Sequence, residues 1–343
     1  MQAIILAGGF GTRLRPLTYT RAKSLLPILN KPMISYIINA LPNYVDEVIL
    51  AANYRKDQLQ RYFDENNFNK KIVINDEPKP LGTGGAVKNA EKYIDGTFLV
   101  MNSDIISSLD INKMIDFHKK RKATATISLW PVKNVSEFGV VRIEKNNEIK
   151  DFIEKPKPEE APSNLINAGV YVLEPEILDY IETDRLVSME KEIFPQIIRD
   201  KKLFLGFKFD GYWIDVGRIS SYVNANMMIL KQRKINLLVG NNVENRGKIN
   251  LSSIGNNVSI GEDARIESSV IYNNVRIGKN AIIKNSVIGE NVEIEEGAKI
   301  IDSAVGDDEK IEANAEIINL RVWNKPVPEG YPDKQVGNVI ENQ

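Results

Sequence analysis

The residues with the clearest chemical potential lie near the amino terminus, in LAGGFGTRLRPLTYTRAKSLLPI from Leu6 to Ile28. An apolar run, QAIILA, leads into Gly8, Gly9 and Gly11. Without a Cβ, glycine lets the backbone approach a ligand and present N–H groups to phosphate oxygens. Arg13, Arg15, Arg21 and Lys23 follow within 11 residues, and a glycine loop beside clustered cations reads as a phosphate site. It is not a dinucleotide fingerprint, because Leu14 stands where G-x-G-x-x-G needs its last glycine, and no G-K-[ST] makes it a P-loop.

Composition narrows the remaining chemistry. The 343 residues include one histidine, His118, and no cysteine, which removes thiolate nucleophiles, disulfides, zinc clusters and any mechanism built on paired histidines. Carboxylates, lysine, arginine and backbone amides must do the work. Lys and Arg number 45 against 46 Asp and Glu, so no global field draws nucleic acid or an anionic membrane, and neither is expected as a partner. MQAIILAGG carries no basic leader, and no apolar run approaches the ~18 residues of a membrane span. The expectation is a cytoplasmic protein, with His118 on the surface of the polar helix IDFHKKRK.

Leu6 to Thr18 match the signature L-A-G-G-x-G-T-R-L-x-P-L-T throughout, and on it the chain resembles the sugar-phosphate nucleotidyltransferases, or nucleoside-diphosphate-sugar pyrophosphorylases. The family continues with Pro-Lys; here Ala22 precedes Lys23. The resemblance implies that Leu6, Ala7, Gly8, Gly9, Gly11, Thr12 and Arg13 bind the nucleotide. It also implies that Arg13 and Lys23 hold the triphosphate and stabilise charge on the departing pyrophosphate. LVMNSDII places Asp104 at the carboxyl end of an apolar strand, where ligands gather in open α/β sheets. It matches the family's N-x-D, and GYWIDVG supplies Asp215 in the family's W-x-D-[IV]-G. The two are implied ligands of Mg2+, a cation that takes hard oxygen donors and keeps waters.

DFIEKPKP resembles F-x-E-K-P, which implies Glu154 on sugar hydroxyls and Lys155 on the sugar phosphate. NAGVYVL implies Asn167 on the sugar, and Gly139 is placed with this sugar-phosphate set. DEPKPLGTGGA, from Asp76, resembles the loop and helix start that hold the base, bringing in Gly82 and Thr83. Glu77 stands where thymidylyl-transferring relatives tend to carry Gln. A carboxylate accepts two bonds from the N1–H and 2-amino group of guanine, a discrimination of roughly 1–3 kcal/mol, whereas thymine and uracil offer one N–H donor. The competing reading of Glu77 is a surface anion near Lys79.

SMEKEIFP and GYWIDVGR look most like the branch that joins GTP to mannose 1-phosphate. Glucose-1-phosphate thymidylyl- or uridylyltransferases and heptose-phosphate guanylyltransferases share much of this grammar and stay open. So, more remotely, do a non-catalytic regulatory relative and a β-helix acyltransferase. The implied reaction takes a nucleoside triphosphate and a sugar 1-phosphate to the nucleoside-diphosphate sugar and pyrophosphate. The attacking phosphate is already an anion, so no side-chain base is needed.

The elements that must position these residues follow from periodicity. Up to about residue 230, short apolar runs alternate with helix-period segments. This predicts an α/β domain over 1–232, a Rossmann-like open, mostly parallel sheet with helices on both faces. Beyond it, three series share a 17-residue step: Leu237, Ile254, Ile271, Ile288, Val305; Val243, Ile260, Ile277, Ile294, Ile311; and Ile249, Ile266, Ile283, Ile300, Ile317. Steps of six, six and five suit a three-sided coil whose apolar corners stack, each buried Ile contributing roughly 1.5–3 kcal/mol. The pattern resembles the hexapeptide-repeat left-handed parallel β-helix and predicts a repeat domain over 233–320. Residues 321–343, with Trp323, are expected to cap the coils, contact the catalytic domain or form a tail. Stacked coils also suggest a homo-oligomer.

Overall fold

The computed structural model describes residues 1–77 and 79–332, and the backbone of 339–341. The chain packs as two compact units: Met1–Gly9 with Tyr36–Ile214, and Phe10–Ser35 with the described residues from Asp215 onward. The segment carrying the four cations of the glycine loop thus packs with the repeats.

Nine strands form the sheet of the first unit: β1 (Gln2–Leu6), β2 (Glu47–Ala52), β3 (Lys71–Asp76), β4 (Phe98–Asn102), β5 (Ala125–Pro131), β6 (Gly139–Ile143), β7 (Ile149–Glu154), β8 (Leu165–Leu173) and β9 (Phe204–Lys208). Their order is β7-β6-β8-β4-β1-β2-β3, with β5 against β8 and β9 against β5. β1 is parallel to β2 and β4, β2 to β3, and β9 to β5. β8 is antiparallel to β4, β5 and β6, and β7 to β6. Two strands therefore run against the other seven, and the sheet is mostly parallel as expected.

Ile4, Ile5, Ile49, Leu50, Leu99 and Val100 are wholly buried, which is why these strands read as continuous apolar runs rather than alternating ones. Strand order reverses between β1 and β4: the chain leaves β1 through β2 and β3, then returns on its other side. Crevices at such reversals, at the carboxyl ends of strands, are where open α/β sheets hold ligands.

His118 overturns one expectation. It is fully buried, and its ring nitrogens lie 2.8 Å from Thr126 Oγ1 and 3.0 Å from Glu174 Oε1. Burial, opposed by Glu174, lowers its pKa. Ile111, Met114, Ile115 and His118 share one face of the helix Ile111–Arg121 at steps of three and four, and all are buried. The run Lys119, Lys120 and Arg121 that follows His118 masks that periodicity.

In the second unit, short strands stack into three sheets whose consecutive neighbours, up to Leu320–Val322, are parallel, the arrangement of a β-helix. Ile254, Ile271 and Ile288 pair in register, as do Ile260, Ile277 and Ile294, and Ile266, Ile283 and Ile300. The first coil departs from the predicted step, since Leu237 faces Ser252 and Asn245 faces Ile260. Its turn between the second and third sheets is shorter, Arg246 and Gly247 standing where the next coil uses Gly261 to Ala264. A Cβ on Gly247 would lie 2.5 Å from Ala264 O, so the cut turn requires glycine.

At one corner Asn257, Asn274 and Asn291 adopt left-handed φ values of 55°, 60° and 58°, which asparagine tolerates. Their amides hydrogen-bond in a ladder ending on Asp308. Of the segment expected to cap the coils, Trp323 packs its ring 5.1 Å from that of Tyr19, while residues 333–338 and 342–343 lie outside the described residues. Among the described residues no helix is long and apolar enough to cross a membrane.

Candidate active site

In the first unit, the carboxyl ends of β1, β2, β3 and β4 bring several predicted residues to one edge of the sheet. Ala7 N donates to Ala51 O at 2.8 Å, holding the chain in line as it leaves β1 for Gly8 and Gly9. Ser103 N donates to Leu6 O at 3.2 Å, which sets Asp104 beside the end of β1. Glu77 follows β3, its amide bonded to Ala52 O and its carbonyl accepting from Asn53 Nδ2 at 2.5 Å.

The Glu77 side chain is not the surface anion of the competing reading: the residue is 6% exposed. Its Oε2 lies 3.4 Å from where a Cβ on Gly8 would stand, so the carboxylate borders the glycine loop. Burial, with a smaller contribution from Asp76, pushes its pKa up to about 7, against hydrogen bonding from the Leu81 backbone.

The helix Gly82–Asn89 opens with glycines for a packing reason. Gly82 has φ +71°, and a Cβ there would lie 2.5 Å from Val187 O. The amides of Gly84 and Gly85 donate to that same carbonyl at 2.8 and 3.2 Å. Thr83 is tied inward: its hydroxyl donates to Glu190 Oε2 at 2.6 Å and accepts from Met189 N at 2.9 Å.

The sugar-phosphate candidates form a connected group. The register of β8 against β5 shifts between Asn167 and Tyr171, with Gly169 at φ +78° inside the irregularity. Bulges of this kind re-aim side chains next to sites. Asn167 accepts from Gly169 N at 3.0 Å and donates to Tyr171 OH at 2.8 Å, and that hydroxyl donates to Glu190 Oε1 at 3.2 Å. Glu154 ends β7 opposite Gly139, where a Cβ would stand 2.8 Å from Glu154 Oε2 and 2.5 Å from Phe152. The Glu154 pKa is raised, chiefly by burial and then by the charge of Glu190. Lys155, at φ +50°, has its ammonium 3.9 Å from Glu154 Oε1 and a side chain 62% exposed, within reach of an incoming anion.

Tyr171 and Glu190 received no role from the sequence, although SMEKEIFP had marked the segment. Glu190 sits in the π-helical turn Met189–Ile193, and such turns recur at functional sites.

In the second unit, Gly11 has φ +66°, and a Cβ there would meet Thr18 Cγ2 at 2.8 Å and Lys23 Cβ at 3.3 Å. Leu14 N donates to Gly11 O at 2.8 Å, closing the turn Thr12–Leu14 that carries Arg13. Arg13 and Asp215 converge at Gly217, where a Cβ would lie 2.9 Å from Arg13 Nη2 and 2.9 Å from Asp215 Oδ1. Lys23 opens the next turn, Lys23–Leu25. The preceding Ala22 has φ −58°, the value the family's proline would impose, so the departure from the signature leaves the backbone unchanged.

The four cations are not one phosphate cluster. Arg21 Nη2 donates to Glu290 Oε2 at 2.7 Å, lies 3.7 Å from Asp307 Oδ2, and stacks its guanidinium 5.0 Å from the Tyr272 ring. Thr20 and Thr18 extend these anchors, to Asp307 Oδ2 at 2.6 Å and to Tyr331 OH at 3.1 Å. Side chains of the coils, with Tyr331 from the segment after them, thus hold the loop that carries Arg13 and Lys23.

Residues 2–232 match the family model described as nucleotidyl transferase. The chain belongs to the nucleotidyl transferase family. Residues 226–335 match a second model, the GMPPB C-terminal domain. Among relatives of this nucleotidyltransferase is a probable mannose-1-phosphate guanylyltransferase 3 of Oryza sativa subsp. japonica, 40% identical over 279 residues, covering 78% of this chain and 76% of that protein. A mannose-1-phosphate guanyltransferase of Saccharomyces cerevisiae is 38% identical over 257 residues, covering 71% of this chain and 70% of that one. Several other plant relatives are spanned over 65% of their length.

Of solved structures, HddC from Yersinia pseudotuberculosis complexed with GMP-PN has a TM-score of 0.56 at 30% identity, covering 66% of this chain and 99% of that one. A UDP-glucose pyrophosphorylase complexed with UDP-glucose has a TM-score of 0.60 at 25% identity, covering 68% and 99%. Nucleoside triphosphates and sugar phosphates are the substrates that fit the family, whose members generally use a divalent metal.

Proposed function

We propose that this nucleotidyltransferase transfers a guanylyl group from GTP to mannose 1-phosphate, giving GDP-mannose and pyrophosphate. The observation that carries the choice of base is the buried Glu77 carboxylate beside Gly8. As an acceptor pair it suits the two adjacent donors on the guanine edge. The similarity to mannose-1-phosphate guanylyltransferases supports the choice of sugar.

In this reading Leu6, Ala7, Gly8, Gly9, Gly11 and Thr12 supply backbone to the nucleotide, Gly82 and Thr83 shape the base loop, and Arg13 and Lys23 neutralise charge that builds up on the leaving pyrophosphate. Glu154 and Asn167 orient sugar hydroxyls, Gly139 leaves room for the Glu154 carboxylate, and Lys155 takes the sugar phosphate. The phosphate of mannose 1-phosphate attacks the α-phosphorus in line, so the protein contributes positioning and charge rather than a base. His118, buried on Thr126 and Glu174, is accordingly structural, and the coils hold no histidine for acyl transfer.

Asp104 and Asp215 would hold Mg2+, which would withdraw charge from the phosphates it joins. Their hard oxygens fit that ion. Mg2+ is commonly held by one or two carboxylates plus substrate phosphates, the number of protein ligands these two aspartates would supply.

The same proposal includes a catalytic domain over 1–232, coils over 233–320 and a tail over 321–343, a homo-oligomeric assembly and a cytoplasmic location. Pyrophosphate release, measured for five nucleoside triphosphates against mannose, glucose, fucose and heptose phosphates, tests it. The fastest turnover is expected for GTP with mannose 1-phosphate. Faster turnover of another pair reassigns the substrates, and no release from any pair favours the regulatory relative. A monomeric mass in light scattering would remove the oligomer.

A further inference from the structure

Three hydroxyls converge on the Glu190 carboxylate, all as donors. Thr83 Oγ1 donates to Oε2 at 2.6 Å, Ser188 Oγ to the same oxygen at 2.8 Å, and Tyr171 OH to Oε1 at 3.2 Å. Backbone geometry fixes the first two directions. Thr83 Oγ1 accepts from Met189 N at 2.9 Å and Ser188 Oγ from Lys191 N at 3.1 Å, so each hydroxyl has its proton left for the carboxylate. The direction of the third is decided further along. Gly169 N can only donate, so the Asn167 atom it meets at 3.0 Å is the oxygen, and the Asn167 nitrogen faces Tyr171 OH at 2.8 Å. An amide N–H needs an acceptor; the Tyr171 oxygen accepts, and its one proton goes to Glu190.

Tyr171 is wholly buried, which keeps bulk water from taking that proton instead. Burial, and then the charge of Glu190, raises its pKa well above the ordinary tyrosine value, so the hydroxyl remains a donor. A carboxylate is the terminus such a chain requires, because it only accepts. Glutamine has the same shape but a single accepting oxygen. With two hydroxyls donating at the Oε2 position, that oxygen belongs there, and the NH2 group falls against Tyr171 OH. Tyr171 would then meet N–H groups on both sides, its own proton left without an acceptor.

We propose that Glu190 is a positioning residue for the sugar phosphate: by accepting the Tyr171 proton it holds the Asn167 amide ready for a sugar hydroxyl. Its role rests on the proposed transfer to a sugar 1-phosphate, in which Asn167 meets the sugar. The bonds to Gly169 and Tyr171 occupy one lone pair and one N–H of the Asn167 side chain. The second of each is what a hydroxyl, donor and acceptor at once, can use. Glu190 acts through Tyr171 and Asn167 rather than by touching the sugar. The turn that carries it is braced independently, since Val187 N donates to Leu81 O at 2.9 Å and Val187 O accepts the amides of Gly84 and Gly85.

Initial rates of pyrophosphate release by the full-length protein test it, with GTP and the sugar phosphate varied separately. The sugar phosphate is the one the wild type turns over fastest. Glu190→Gln should raise its KM about five- to tenfold, the worth of a lost neutral hydrogen bond, and leave kcat and the KM for GTP within about twofold. Tyr171→Phe deletes the middle link, keeps the ring packed on Phe194, and should do the same, so the test survives if the glutamine variant does not fold. The double variant should be no worse than either single, because both cut one chain of bonds. A merely structural role would move both substrates and kcat together. The role is overturned by an unchanged sugar-phosphate KM in the variants, by an equal rise for GTP, or by effects that multiply in the double variant. Fastest wild-type turnover of another sugar phosphate overturns the mannose reading and leaves Glu190 to be judged on that substrate. No wild-type turnover of any pair removes both.

Discussion

Glu77→Gln separates base recognition from stability, because the same buried carboxylate governs both. Its pKa of about 7 in the folded protein compares with 4.5 for an ordinary glutamate. Between those values the folded chain keeps a proton that the unfolded chain releases, so Glu77 makes stability fall as pH rises through that window, with the full effect above 7. At about 1.4 kcal/mol per unit the effect reaches about 3 kcal/mol at most. Replacing the carboxylate by an amide should therefore raise the melting temperature at pH 8 by several degrees and change it little at pH 4.

Guanine recognition runs the opposite way. If the charged carboxylate is the binding form, only about one molecule in eleven is competent at pH 6, and the apparent affinity for GTP falls about tenfold relative to its limit at high pH. Taking kcat/KM for GTP as a ratio to that for dTTP, measured from pH 5.5 to 8.5, cancels the titration of the triphosphate itself. The wild-type ratio should rise through pH 7. In Glu77→Gln it should be flat and lower by roughly 1–3 kcal/mol of discrimination. A variant that gains stability at pH 8 but keeps the GTP to dTTP ratio would refute the assignment to guanine while leaving the burial argument intact.

Other substitutions test the remaining roles. Asp104→Asn and Asp215→Asn should each lower turnover by about a hundredfold or more, since each removes an anionic metal ligand; near-normal rates for both at saturating magnesium would count against the pair. Lys23→Ala should lower kcat, whereas Lys155→Ala should mainly raise KM for the sugar phosphate, and the reverse split would exchange their roles. Arg21→Gln should destabilise the protein by about 1–3 kcal/mol in urea, because it breaks a partly buried ion pair with Glu290 and the stack on Tyr272. The double variant with Glu290→Gln should cost less than the two singles combined, and strict additivity would show that the pair is not coupled.

Local chemistry carried much of this protein into its sequence. The signature from Leu6 to Thr18, the aspartates at strand ends and the 17-residue step are short-range patterns, legible because glycine, charge and apolar spacing act within a few residues. They announced the nucleotidyltransferase class, the mostly parallel sheet and the coils. What required the tertiary structure were the contacts made at long separation. Arg21 was counted with the phosphate cations by proximity in the chain, yet Glu290, Asp307 and Tyr272 claim it from the coils. The glycines from Gly82 suggested a ligand, and the Val187 carbonyl explains them. His118 sat beside a run of cations, and the face it shares with Ile111, Met114 and Ile115 buries it. Glu77 could be written as a base-reading carboxylate from its type and position. Only the closure of β2, β3 and the glycine loop around it decided that it is removed from water, and desolvation is what sets its charge near neutral pH.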